Sequence, residues 1–122
     1  MKKMLFSILI MCGLVLTITG CGSKLDKTGE EFKNAIIKEE SEIDEREYKE
    51  SDFSFLIYKD KDTNRYLAEV WVPYEGEPSD LKKNYFYNED KELEEESQST
   101  GSLEKAKSYG NYEVVYKSGK FE

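Results

Sequence analysis

Two short blocks, "FSFLIYKD" (Phe53–Asp60) and "RYLAEVWVPY" (Arg65–Tyr74), limit the possible folds most. In the first, Phe53, Phe55 and Ile57 alternate with Ser54, Leu56 and Tyr58. In the second, Tyr66, Ala68, Val70 and Val72 alternate with Leu67, Glu69 and Trp71. A period of two in aromatic and β-branched residues predicts strands, because successive side chains of a strand leave on opposite faces. The polar "KDKDTN" between them has turn chemistry, so the pair forms a hairpin. Pro73, Gly76 and Pro78 are expected to break the second strand and open a loop. "KKNYFYN" (Lys82–Asn88) predicts a third strand and "NYEVVYK" (Asn111–Lys117) a last one. "KELEEES" (Lys91–Ser97) is placed to pair with the third strand after the "NED" turn.

A different period precedes these blocks. Phe32, Ala35, Ile36, Ile37 and Ile43 fall on an approximate 3.6-residue stripe, with Tyr48 near its end. Lys33, Lys38, Glu42, Glu45 and Arg46 are expected on the opposite, solvated face. "Thr28-Gly29-Glu30-Glu31" has Thr and Glu at capping-box spacing. The pattern predicts an amphipathic helix over 29–49. A helix and a sheet each have one apolar side that neither can bury alone. The expected fold class is therefore α+β: one N-terminal amphipathic helix packed on an antiparallel sheet of about four strands. The acidic run "DKELEEESQSTGSLEKAKS" (residues 90–108) reads as a mobile insertion in this single domain, 29–122.

The first twenty residues do not belong to that domain. Lys2 and Lys3 precede an almost unbroken apolar run from Met4 to Ile18, about 15 residues, which is short for a permanent span of about 20. A positive start, an apolar run and small residues are the order of a secretory signal. The run ends at "Ile18-Thr19-Gly20-Cys21", which resembles the lipobox of bacterial lipoproteins: an aliphatic residue, a small polar one, Gly or Ala, then Cys. The resemblance implies cleavage before Cys21, with Ile18, Thr19 and Gly20 as the recognition residues. It also implies a diacylglycerol on the Cys21 thiol, with further acylation of its amine as an extension. The other cysteine, Cys12, lies inside the apolar run and leaves with it, so the mature chain has no internal disulfide partner for Cys21. Two acyl chains hold a protein on a membrane where one is marginal, at about 0.8 kcal/mol per buried methylene. Residues 21–28 read as a lipidated tether.

Composition narrows the function. The leader takes two of the 18 basic residues and none of the 26 acidic ones, so the mature chain is more acidic than the whole chain at −8. Nucleic acid is disfavoured as a partner, since binding it draws on clustered positive charge. There is no histidine, which removes His-based triads and His-containing zinc sites. No Gly-rich phosphate loop is present. "Asp60-Lys61-Asp62-Thr63-Asn64" places Asp60, Asp62 and Asn64 like the first half of a calcium loop. Arg65 stands where that loop needs Gly, and Trp71 where it needs a bidentate Glu. A turn explains the residues better, and no metal or other cofactor is expected beyond the lipid.

With lipobox, helix and meander in sequence, and a Tyr/Lys-rich strand at Tyr112–Lys117, the chain resembles small Gram-positive lipoproteins of cystatin-like fold, some of them carried on conjugative elements. The resemblance implies a curved sheet, location on the outer face of the cell membrane, and a non-enzymatic binding role toward an envelope protein. Exclusion of redundant conjugative transfer is one such function. Two alternatives stand beside it: a small-ligand carrier with a pocket between helix and sheet, and a small carboxylate-dependent hydrolase.

Overall fold

The computed structural model describes residues 25–122. Helix α1 spans Lys27–Asp44. The strands are β1 (Ser54–Asp60), β2 (Tyr66–Tyr74), β3 (Glu77–Tyr87), β4 (Leu93–Glu95) and β5 (Tyr112–Lys117). A short helix α2 (Leu103–Ser108) precedes β5, and single 3-10 turns occupy Glu50–Asp52 and Gly119–Phe121. All neighbouring strands are antiparallel, in the order β4-β3-β2-β1-β5. The class is α+β as expected, but the sheet has five strands rather than four, and the helix is internal to the chain rather than N-terminal. No described helix is long and apolar enough to cross a membrane.

The helix starts earlier than its sequence signal. Asp26 is the N-cap, its Oδ1 accepting the Gly29 amide at 2.8 Å, so the Thr28 capping box is not used. Leu25 packs against the core. Residues 25–28, read as tether, therefore belong to the fold. The helix also stops earlier, at Asp44, because Glu45 turns left-handed at φ 54° and the Arg46 amide donates back to the Ser41 carbonyl. That reversal returns Tyr48 to the core, edge-on to Phe53 with ring centroids 6.1 Å apart. Phe32 and Ile36 are fully buried, as the stripe predicts. The next buried turn carries Glu40, not Ile43, which is 53% exposed, and Lys33, expected in solvent, is buried.

β1 and β2 pair as expected, with Ser54 opposite Trp71 and Lys59 opposite Tyr66. Phe55, Ile57, Ala68, Val70 and Val72 form the floor under α1, all fully buried. The proline and glycine residues do not open a loop. β2 runs through buried Pro73 to Tyr74, and Glu75 (φ 51°) and Gly76 (φ 88°) make a two-residue turn with Tyr74 opposite Glu77. Two positive φ angles in succession are what a tight hairpin turn of primed type requires. A register shift between Val72 and Tyr74 accommodates the missing Pro73 N–H.

The acidic span 90–108 is built into the fold. β4 adds to β3, Thr100 closes a turn by bonding Ser97 and the Glu95 carbonyl, and α2 follows with Ser102 as its N-cap. From α2 the chain reaches the far edge of the sheet, where β5 pairs with β1. α2 lies on the sheet face away from α1: Lys107 sits over the ring of Tyr58, which alternates with core-facing Ile57.

Candidate functional site

Cys21, Ile18, Thr19 and Gly20 lie outside the described residues. The fold bears on them through its first fixed point. Asp26 follows Cys21 by five residues, a span of at most about 18 Å. Its carboxylate accepts the Tyr66 hydroxyl (2.6 Å to Oδ1) and the Lys59 ammonium (2.7 Å to Oδ2) as well as the Gly29 amide. The chain entering the domain is thus tied at once to α1, β1 and β2. Burial raises the Asp26 carboxyl, but the bonds from Lys59, Tyr66 and Gly29 outweigh it and hold its pKa below the ordinary value. Tyr66 is pushed up, by burial and by the carboxylate it donates to.

The same unit recurs three times: a carboxylate that accepts a tyrosine hydroxyl and faces a lysine. Glu40 of α1, 2% exposed, accepts the Tyr85 hydroxyl and the Lys83 ammonium (2.9 Å), both from β3. Glu50 accepts the Tyr116 hydroxyl of β5 at 2.6 Å and the buried Lys33 ammonium at 3.0 Å, with Lys33 also over the Tyr116 ring. Glu69 of β2 accepts the Tyr58 hydroxyl and the Lys82 ammonium, each at 2.9 Å. A buried or half-buried carboxylate survives only when its charge is matched and its lone pairs are used. These units use four of the nine tyrosines of the chain: Tyr58, Tyr66, Tyr85 and Tyr116. Three of the four units fasten α1 and its flanks to β1, β2, β3 and β5. Two of the lysines serve a second carboxylate as well: Lys83 also faces Glu95 at 3.8 Å, and Lys33 also faces Glu30 at 3.2 Å.

The calcium-like turn is closed by its own backbone. Asp60 is buried, and its Oδ1 accepts the amides of Asp62 (2.9 Å) and Asn111 (3.4 Å). The Asp62 amide is the main cause holding its pKa below the ordinary value. Asp62 and Asn64 are exposed beside Lys59, Lys61 and Glu89. Among the described residues, no three acidic, Cys or His side chains gather as a metal-holding group.

The fourth unit differs from the others by its position on the open sheet face, away from α1. Lys107 of α2 reaches the Tyr58 hydroxyl at 3.4 Å. Beside it lies Trp71, partly exposed, with the Lys120 ammonium 4.1 Å from its ring centre. The backbone N–H of Lys120 donates to Ser54 Oγ, which fixes the last 3-10 turn against the start of β1. Trp71 stands opposite Lys82, and Leu56 opposite Lys117. Leu56, Tyr58 and Trp71 are each half-buried, so an aromatic and aliphatic floor is left partly open between charged side chains of both signs. Sequence alternation placed Trp71, Leu56 and Tyr58 on one face. Nothing in it brought Lys107 and Lys120 there, because α2 and the last turn are long-range additions. No known family, curated protein or solved structure matches this chain.

Proposed function

We propose that this chain is a lipid-anchored binding protein on the outer face of a Gram-positive cell membrane, with a cystatin-like fold and no catalytic step. The observation that carries the reading is the lipobox Ile18-Thr19-Gly20-Cys21 at the end of an n- and h-region, followed within five residues by the cap of a folded domain. Diacylglycerol on Cys21 supplies the membrane attachment, and amine acylation strengthens it. The short link keeps the domain close to the bilayer, where an envelope protein is the partner within reach. Exclusion of redundant conjugative transfer is the surface function this reading favours.

The carrier alternative needs space between helix and sheet. That interface is filled by Phe32, Ile36, Phe55, Ile57 and Val70, each fully buried, and by Tyr87 stacked on Phe32 at 4.9 Å. Fractionation of cells making the wild-type chain and Cys21→Ser tests the anchor. The wild type is expected in the detergent phase of a membrane extract. Substituted protein that stays there to the same extent would sink the proposal.

A further inference from the structure

We infer that the domain stands end-on to a lipid bilayer, with the Tyr109 ring in the headgroup layer. The inference deepens the anchored reading above and rests on it. One end of the sheet gathers both the chain entry and the segment that carries Tyr109. Asp26 is bonded to Lys59 at 2.7 Å, near the end of β1. Asp60, the next residue, accepts the Asn111 amide, and the Lys61 amide donates to the Asn111 carbonyl at 2.9 Å. Tyr109 lies two residues before Asn111, at the C-cap of α2. It is 79% exposed, the most exposed of the large hydrophobic side chains among the described residues. Val114, also exposed, stands opposite Tyr58 and so shares the α2 side of the sheet near the same end.

The link to Cys21 limits the poses. It spans at most about 18 Å from Asp26. Asp26 also accepts the Tyr66 hydroxyl, and the strand β2 from Tyr66 to Tyr74 covers about 26 Å before the Glu75-Gly76 turn. An inverted domain, with that turn on the bilayer, would lift Asp26 beyond the reach of the link. Among the poses left, end-on contact puts the most exposed aromatic of the domain in the layer that suits a ring with a polar tip. Charges of both signs surround it: Arg65 faces Glu89, Lys91 faces Glu31 and Lys107 faces Glu104, with exposed Lys61 next to Asp62. The contact is therefore carried by the ring and not by anionic lipid. One tyrosine contributes little alone, but the anchor makes its contact intramolecular, at about millimolar effective concentration.

Trp71 is a built-in reference. It is the sole tryptophan and pairs with Ser54 at the start of β1, about 20 Å along the strand from Asp60. The full lipidated chain is placed in phosphatidylcholine vesicles that contain a lipid with a headgroup nitroxide, and tryptophan quenching is read. Trp71 of the wild type should be unquenched. A reporter at the β1–β2 turn, Asn64→Trp with Trp71→Phe, should be quenched, and Tyr109→Ser in that chain should remove most of the quenching. Asn64 and Tyr109 are exposed, so neither change touches the core. If Trp71→Phe fails to fold, Asn64→Trp is read against the wild type with Trp71 kept. The inference is overturned by an unquenched reporter, by quenching that Tyr109→Ser leaves unchanged, or by equal quenching of Trp71, which would lay the sheet face on the bilayer. It is also overturned if quenching appears only when phosphatidylglycerol is added, which would assign the contact to charge. Vesicle flotation and the mass of the chain read the anchor separately. A floating, lipidated chain with an unquenched reporter refutes this inference alone, and a chain that carries no lipid refutes the anchor and this inference with it.

Discussion

Glu40 shows how a single residue sets the character of this core. It occupies the helix position where periodicity calls for an aliphatic side chain, and it is held there by Lys83 and Tyr85. Removing one member of a buried, paired set leaves the others uncompensated, at about 3–5 kcal/mol. Glu40→Ala should therefore lower stability by that amount in denaturant unfolding, while the triple change Glu40→Leu, Lys83→Met and Tyr85→Phe, which leaves no member of the set unpaired, recovers most of it. Phe32→Ala, which empties a site between Tyr66 and Tyr87, is expected to cost about 3–5 kcal/mol. The carboxylates also set the acid limit. Asp26, Asp60 and Glu69 all have folded pKa values below their ordinary values of 3.8, 3.8 and 4.5. A depressed carboxyl contributes stability above its unfolded pKa and loses it as pH falls through the folded one. Stability should hold near neutrality and fall as pH drops below about 4, followed by far-ultraviolet circular dichroism against pH. At the alkaline side the sign reverses. Tyr66 and Tyr85 are raised above their ordinary 10.0, so unfolding should begin above that pH, with their ionisation delayed until the fold opens.

At the level of elements, the hairpin β1–β2 was legible because alternation is a local property and Phe55, Ile57, Val70 and Val72 obey it. The front half of α1 was legible for the same reason. Its end was not. Ile43 continues the stripe in sequence, but the chain must reverse at Glu45 to bring Tyr48 back onto Phe53. The cap moved from Thr28 to Asp26 because Tyr66 and Lys59, far along the chain, hold the Asp26 carboxylate where it also accepts the Gly29 amide. The tyrosine–carboxylate bonds that fasten α1 and its flanks join residues 40, 45 and 66 positions apart, beyond any periodic signal. The turn Glu75-Gly76 was hidden between two prolines that read as strand breakers. It supplies its own test. A side chain at Gly76 would be strained at φ 88° and would stand 2.5 Å from the Arg46 guanidinium. Gly76→Ala should cost about 1–2 kcal/mol in the unfolding midpoint with the slope unchanged.

For the whole molecule, the two faces of the sheet divide the work. One carries α1 and three of the four carboxylate–tyrosine–lysine units, which join the helix and its flanks to four of the five strands. The other carries Trp71 and its lysines. The open face was not legible in the sequence, because α2 and the last turn assemble it from distant segments. Asp26 caps α1 five residues after Cys21, so the lipid anchor proposed for that cysteine would set the domain close to the membrane. Everything said of place and partner depends on that anchor. Mass spectrometry of the mature N-terminus, on protein extracted from membranes, tests it most directly. A chain that begins at Cys21 and carries diacylglycerol on its sulfur is the expected result. A free Cys21 thiol, or a chain still beginning at Met1, would contradict it.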